Sequence, residues 1–122
     1  MFPIIVFTEE MAYAIIGCLI FIILDMLTGI IYAFKSNTFS SSVLREGFFH
    51  KVALVVVMVC TILIECLVMH IPSLGFSVPI LVPACVIIIL MEISSILENL
   101  VKINPELEGN DLLKLFANGK KE

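Results

Sequence analysis

The sequence has few charged side chains: they make up 15% of its 122 residues, whereas a soluble domain carries about 25%. Apolar residues reach 61%, and the mean hydropathy is +1.16. A chain of this size buries only about 60–70% of its surface on folding, so a soluble monomer would leave much apolar surface in water. Intrinsic disorder is excluded as well, because it requires low hydrophobicity and high charge. The composition therefore predicts an integral membrane protein.

Basic residues are also scarce, which excludes further classes of function. The net charge is -4 and the pI is near 5.1, whereas nucleic-acid-binding domains are usually basic. The sequence has no Gly-rich phosphate loop, no nucleophile elbow and no paired His motif at metal-ligand spacing. Its four cysteines lie in apolar segments without C-x-x-C spacing, which is typical of packing side chains. We expect no enzymatic activity, no cofactor, no metal site and no nucleic-acid partner.

Three apolar stretches are each long enough to cross a bilayer, whose core of about 30 Å requires roughly 20 helical residues. Lipid offers no partner to backbone N–H and C=O groups, so the spans must be helices. The sequence predicts an all-α membrane protein with three transmembrane helices. The predicted segments are a tail at 1–10, helix one at 11–34, a loop at 35–51, helix two at 52–71, a tight loop at 72–77, helix three with its extension at 78–100, and a tail at 101–122.

All seven basic residues fall on one side of this three-helix arrangement. Lys35, Arg45 and Lys51 lie in the first loop, and the C-terminal tail contains the other four. The positive-inside rule places that side in the cytoplasm, with the N-terminus outside. We expect the three loop residues at the membrane interface, where they set the topology. The loop from Ser41 onward is amphipathic, and two interpretations stay open: a short helix on the cytoplasmic interface, or a helical lead-in to helix two.

Three acids lie in the predicted helices: Asp25, Glu65 and Glu92. An acid at mid-bilayer costs a few kcal/mol and normally faces protein or water. Either the acids hold helices together, or they line a wet path, and the sequence leaves both readings open. Three helices are few to hide such groups, which favours an oligomer. The candidate pore-lining or helix-packing residues are Asp25, Thr28, Gly29, Thr61, Glu65, Glu92 and Ser95.

Three groups of residues, taken in order, carry a family resemblance. They are Asp25-x-x-Thr28-Gly29 with Ala33, then Ser41/Ser42, Arg45-x-Gly47 and Lys51, and finally Glu92-x-x-Ser95-Ile96-x-Glu98-Asn99. Through them the chain resembles the phage holins of the toxin-secretion and phage-lysis type, over roughly Leu24 to Leu115. Helix two matches only in hydrophobicity, so Glu65 lies outside the resemblance. The segment Lys102-Ile-Asn-Pro105 departs from the Gly and Pro-centred tail of the family.

The resemblance implies a function in the bacterial cytoplasmic membrane. Holins of this type accumulate there and assemble with copies of themselves into lesions, which release an endolysin or export large proteins such as toxins. An antiholin is a further partner that the resemblance suggests. Two alternatives stay open: a small ion- or proton-coupled transporter that uses Asp25 and Glu65, and an antiholin or structural subunit that forms no hole itself.

Overall fold

The computed structural model describes residues 5–109, and within this range it is helical, with no strand. The three long helices are α1 (Glu9–Lys35), α2 (Ser41–Met69) and α3 (Leu81–Ile103). At a rise of 1.5 Å per residue they are about 35–43 Å long, and each is long and apolar enough to cross a membrane. The predicted all-α architecture with three membrane-spanning helices is confirmed.

Hydroxyl side chains begin the first two helices. Thr8 accepts a hydrogen bond from the Met11 amide at 3.1 Å, and Ser40 accepts one from the Val43 amide at 3.2 Å. Such caps satisfy amides that have no partner within the helix. Because Ser40 caps α2, this helix begins 11 residues before the predicted start at Val52 and continues without a break. Residues 41–51 are therefore the first turns of α2, which corresponds to the helical lead-in.

The two connections between the long helices each contain a left-handed residue. Asn37 has φ of 57° in the short turn after α1, and Gly75 has φ of 73° after the 3₁₀ turn Pro72–Leu74. A second 3₁₀ turn, Pro105–Gly109, follows α3. The outermost part of the N-terminal tail (1–4) and most of the C-terminal tail (110–122) lie outside the described residues.

Helices α1 and α3 run parallel and form the closest pair, whereas α2 runs antiparallel to both and contacts them more sparsely. The two helices are in contact at Gly17, where a Cβ would lie 3.6 Å from Ile89 Cδ1, an ordinary van der Waals distance. At their C-terminal ends, the Lys35 ammonium donates a hydrogen bond to the Ile103 carbonyl oxygen. The Lys102 ammonium lies 5.5 Å from the centre of the Tyr32 ring, within the range of a cation–π contact.

The core of the bundle is narrow. Only 17–22% of the most apolar window of each helix is buried, and large apolar side chains such as Ile23 and Ile87 are more than half exposed. Bilayer hydrocarbon is as apolar as these side chains, so their exposure carries no hydrophobic cost in lipid. The chain is a multi-pass membrane protein whose outer faces suit lipid or further protein. The fully buried side chains are Cys18, Cys66, Leu81 and Cys85.

Candidate functional site

One charged side chain from each long helix meets the other two inside the bundle. The Lys51 ammonium on α2 donates to Asp25 Oδ2 on α1 and to Glu92 Oε2 on α3, the latter at 2.5 Å. Asp25, Lys51 and Glu92 are only 7%, 9% and 2% exposed, so water is nearly excluded from all three. We call these three residues the ion cluster.

The helical repeat brings the ion cluster to one level. Each of its residues lies ten or eleven residues from the same end of the bundle, where α1 and α3 end and α2 begins, or about 15 Å along the axis. Each also continues the buried stripe of its own helix, since residues three, four or seven apart share a face. The buried residues of these stripes are Met11, Cys18, Ile22, Asp25 and Ala33 on α1, Lys51, Met58, Ile62 and Cys66 on α2, and Leu81, Cys85, Ile88 and Glu92 on α3.

The ion cluster contains two carboxylates and one ammonium, so it carries a net charge of -1 when all three groups are ionised. Burying an ion is costly unless a partner of opposite charge and hydrogen bonds compensate it. Lys51 is the cation that both acids share. Because Lys51 lies on α2, the burial of Asp25 and Glu92 depends on the docking of α2 against α1 and α3.

An amide completes the surroundings of Asp25. Asn99 Nδ2 donates to Asp25 Oδ1 at 3.2 Å and to Thr28 Oγ1 at 3.0 Å, and Thr28 Oγ1 donates to the Asp25 carbonyl oxygen at 3.0 Å. Gly29 faces the same amide, since a Cβ there would lie 3.7 Å from Asn99 Nδ2. Both carboxylate oxygens of Asp25 are thereby hydrogen-bonded. The network extends the ion cluster toward the C-terminal ends of α1 and α3.

The sequence-based candidates divide into those that the structure brings together and those that it does not. Thr28 and Gly29 border the ion cluster, and Ser95 lies on the same side of α3. Thr61 instead donates to the Met58 carbonyl oxygen of its own helix at 2.7 Å. Glu65 lies about 21 Å from Lys51 along α2. Its Oε2 is buried and has no hydrogen-bond partner among the described residues.

The structure separates the three basic residues that the sequence assigned to the interface. Arg45 is exposed on the first turns of α2, and Lys35 contacts the end of α3. Lys51 differs from the expectation, because its ammonium lies inside the bundle. The reason is the early start of α2: Lys51 belongs to an established helix instead of preceding one. Its spacing of seven residues from Met58 is the signal that places it on the buried face.

Asn99 was not among the sequence-based candidates for the site. It stands four residues after Ser95 and seven after Glu92, so helical spacing places all three on one face of α3. An intramembrane amide on the same face as an acid is the signal that singles it out, because polar side chains in lipid seek partners on other helices.

A cleft of about 190 Å³ lies beside the ion cluster, between α1 and the first turns of α2. Its polar lining residues are Asp25, Lys51, Ser95 and Asn99. Apolar residues such as Ile30, Val43 and Phe48 also line it. Within residues 5–109, no group of three or more His, Cys, Asp or Glu side chains is placed to hold a metal ion.

Comparison with models of protein families shows to which family this chain belongs. The model of the bacteriophage holin family matches residues 4–110. The chain belongs to the bacteriophage holin family. The match includes all three long helices and every residue of the ion cluster, and it confirms the resemblance inferred from the sequence motifs. The holin family is not a family of enzymes. Comparison with curated proteins and comparison with solved structures each found no match.

Proposed function

We propose that this holin-family chain assembles with copies of itself in the bacterial cytoplasmic membrane and forms lesions there. These lesions release an endolysin, which lyses the host, or export large proteins such as toxins. The observation that supports the proposal is the ion cluster: three apolar helices surround charged groups that only the assembled bundle keeps from lipid.

The charged groups of the ion cluster can be stabilised in two ways, by one another in a closed bundle or by water in an open assembly. In lipid, packing and polar contacts drive helices together, because burial of apolar surface contributes little there. A closed bundle keeps Asp25, Lys51 and Glu92 paired with one another. An assembly of several copies in which these side chains face a shared aqueous opening satisfies them with water instead. Such a rearrangement converts a closed membrane protein into a lesion.

The charge distribution supports an orientation for this assembly. Lys35, Arg45 and Lys102 all lie at or near the end of the bundle where α1 and α3 terminate. The positive-inside rule favours the cytoplasm for that end. We therefore propose an N-out, C-in topology, with the turn at Pro72–Leu74 outside.

Inducible expression in a bacterium tests the proposed function. We expect membrane potential to collapse abruptly after the chain has accumulated, and a large cytosolic reporter enzyme to appear in the medium when an endolysin is co-expressed. The matched control is Asp25→Lys, compared at equal membrane abundance, because it places a second ammonium beside Lys51 and removes an acceptor. The control should delay or abolish the collapse.

The other candidate functions give different results in the same experiment. A transporter would produce a graded ion flux without release of the reporter enzyme. An antiholin would leave the potential intact when expressed alone and delay lysis when co-expressed with an active holin. Full membrane insertion with neither loss of potential nor reporter release would contradict the proposal.

A further inference from the structure

The ion cluster contains unequal numbers of opposite charges in surroundings that nearly exclude water. Asp25 and Glu92 contribute two carboxyl groups, and Lys51 contributes one ammonium. The three side chains are at most 11% exposed, and they lie in helices that are apolar enough to cross a membrane. An uncompensated charge in such a place costs so much free energy that the group becomes neutral instead. We therefore expect one member of the ion cluster to be uncharged.

The uncharged member is a carboxyl group and not the ammonium. The Lys51 ammonium donates to one oxygen of each acid, and hydrogen bonds to a charged form favour that form. Loss of a proton from Lys51 would leave two carboxylates without a cation, which increases the net charge of the ion cluster. Uptake of one proton by an acid removes the net charge.

The two acids lie close enough together to share this proton. The carboxyl groups of Asp25 and Glu92 are within hydrogen-bonding reach of each other. Two ionised carboxylates have no donor between them, whereas a protonated carboxyl donates its O–H to a carboxylate. Two carboxylates that share a site also repel each other, which favours the binding of one proton by the pair.

The hydrogen bonds and the burial assign the proton to Glu92. Asp25 accepts at both oxygens, from Lys51 at Oδ2 and from Asn99 at Oδ1. Within residues 5–109, Glu92 accepts a side-chain hydrogen bond from Lys51 alone, and its side chain is 3% exposed against 8% for Asp25. The Cys18 thiol on α1 also lies near Glu92, but a thiol supplies no positive charge. The ionised form is therefore better stabilised at Asp25 than at Glu92.

We propose that the ion cluster is a binding site for one proton, which resides on Glu92 while Asp25 and Lys51 stay ionised. The Glu92 O–H group donates to the Asp25 carboxylate, and the carbonyl oxygen of the same carboxyl group accepts from Lys51. The ion cluster is then neutral as a whole, which suits its burial among helices that face lipid.

Infrared spectroscopy of the full chain in lipid nanodiscs at neutral pH tests the proposal, because the C=O stretch of a protonated carboxyl is separate from the bands of a carboxylate. The chain carries Glu65→Gln, since Glu65 has a buried oxygen of its own. We expect a protonated-carboxyl band that shifts when the glutamate side chains are labelled with carbon-13 and stays in place when the aspartates are. A folded chain without this band, or with a band that shifts only on aspartate labelling, would overturn the proposal.

Substitutions at the two acids distinguish a shared proton from a glutamate that is protonated through burial alone. Glu92→Gln should abolish the band, because Asp25 then pairs with Lys51 one to one. Asp25→Asn should abolish it too, although Glu92 is still present, because Glu92 then has the ammonium to itself. Persistence of the band in folded Asp25→Asn would contradict the proposal. Should Asp25→Asn fail to fold, the isotope shift in the chain with an intact ion cluster still decides.

Removal of the cation should have the opposite effect on the spectrum. Lys51→Met leaves both acids without a cation, so a protonated aspartate should appear beside the protonated glutamate. The matched control is Glu98→Gln, which removes an exposed acid from α3 and should leave the band unchanged. A folded Lys51→Met chain without the aspartate band would contradict the charge balance. The spectra are recorded on the closed bundle and involve no lesion, so the proton site and the proposed function can each fail without the other.

Discussion

The two halves of the bundle hold the same three helices together by different means. In the half where α1 and α3 end, which we call the polar half, Asp25, Lys51 and Glu92 form ionic contacts across all three helices. In the other half, which we call the apolar half, the fully buried side chains are mostly small and uncharged, such as Cys18 and Cys85. Stability of the polar half therefore depends on a matched set of charges, whereas that of the apolar half depends mainly on the packing of uncharged side chains.

This difference determines how each half responds to change. Removing one member of a buried ionic set leaves the others uncompensated, which is more costly than losing the set altogether. Removing a buried apolar side chain within lipid costs mainly packing, because the lipid is itself apolar. We therefore expect the loss of the shared cation of the ion cluster to have a larger effect than the truncation of a buried side chain in the apolar half.

The largest effect is expected for Lys51→Met, which keeps much of the side-chain length and removes the ammonium. Asp25 and Glu92 then lose the cation that they share, and unfolding in mixed micelles should become easier by about 3–5 kcal/mol. The control is Arg45→Met, which removes an exposed cation from the same helix. Equal stabilities of the two variants would show that the ion cluster does not hold the bundle.

Neutralising the whole ion cluster sharpens this result. The variant that combines Lys51→Met with Asp25→Asn and Glu92→Gln contains no buried ion at this level. It should be more stable than Lys51→Met alone, because no uncompensated charge remains. Circular dichroism during unfolding measures both variants. A triple variant less stable than the single one would show that the cost comes from lost packing and not from charge.

A smaller effect is expected in the apolar half, for Leu81→Ala. Leu81 is fully buried, and its truncation leaves a cavity that should cost about 2 kcal/mol. Leu90→Ala is the matched control, because Leu90 lies on the same helix and is 60% exposed. Both free energies of unfolding come from the same micelle assay. A loss larger than that of Lys51→Met would reverse the comparison of the two halves.

A still smaller effect is expected for Asn99→Leu, which conserves approximate volume and removes the hydrogen bonds to Asp25 and Thr28. Interhelical polar contacts in membranes contribute about 0.6–2 kcal/mol, so the free energy of unfolding should fall within that range. Glu98→Gln, at an exposed neighbouring position, is the control. A stability unchanged from the parent chain would show that Asp25 does not depend on this amide.

The smallest effect is expected for Glu65→Gln. One oxygen of Glu65 is buried without a hydrogen-bond partner in the described part of the chain, so the acid has little to lose on conversion to an amide. The free energy of unfolding should change by less than about 1 kcal/mol. Asp25→Asn, the same change at a paired acid, should lower it more. A drop for Glu65→Gln as large as that for Asp25→Asn would reveal a partner for Glu65.

The sequence sufficed for the three spans because each is a long apolar run, and only a helix satisfies the backbone in lipid. For the segment from Ser41 it left two interpretations open, a separate interfacial helix and a helical lead-in to α2. The apolar run begins at Val52, but the cap at Ser40 begins the helix at Ser41. Hydropathy follows where a helix meets lipid, whereas hydrogen bonding determines where it begins. The two criteria diverge wherever a helix continues beyond its apolar part.

The sequence indicated two of the three residues of the ion cluster as candidates for the site. Asp25 and Glu92 stand out as acids within apolar runs, and both were candidates from the sequence. Lys51 adjoins an apolar run from outside, so counting charges placed it in a loop. Only the continuous helix brings its ammonium onto the buried stripe. Lys51 pairs with Asp25, 26 positions before it, and with Glu92, 41 positions after it. These contacts depend on the packing of the helices, which hydropathy does not report.

The hydrogen bond between Lys35 and Ile103 and the cation–π contact between Lys102 and Tyr32 have a mechanical consequence. They join the C-terminal ends of α1 and α3, which also pack against each other along their length, so we expect these two helices to move together. Among the described residues, the polar side-chain contacts of α2 with α1 and α3 are those of Lys51, ten residues after the helix begins. We therefore expect the bundle to open by separation of α2 from the pair formed by α1 and α3.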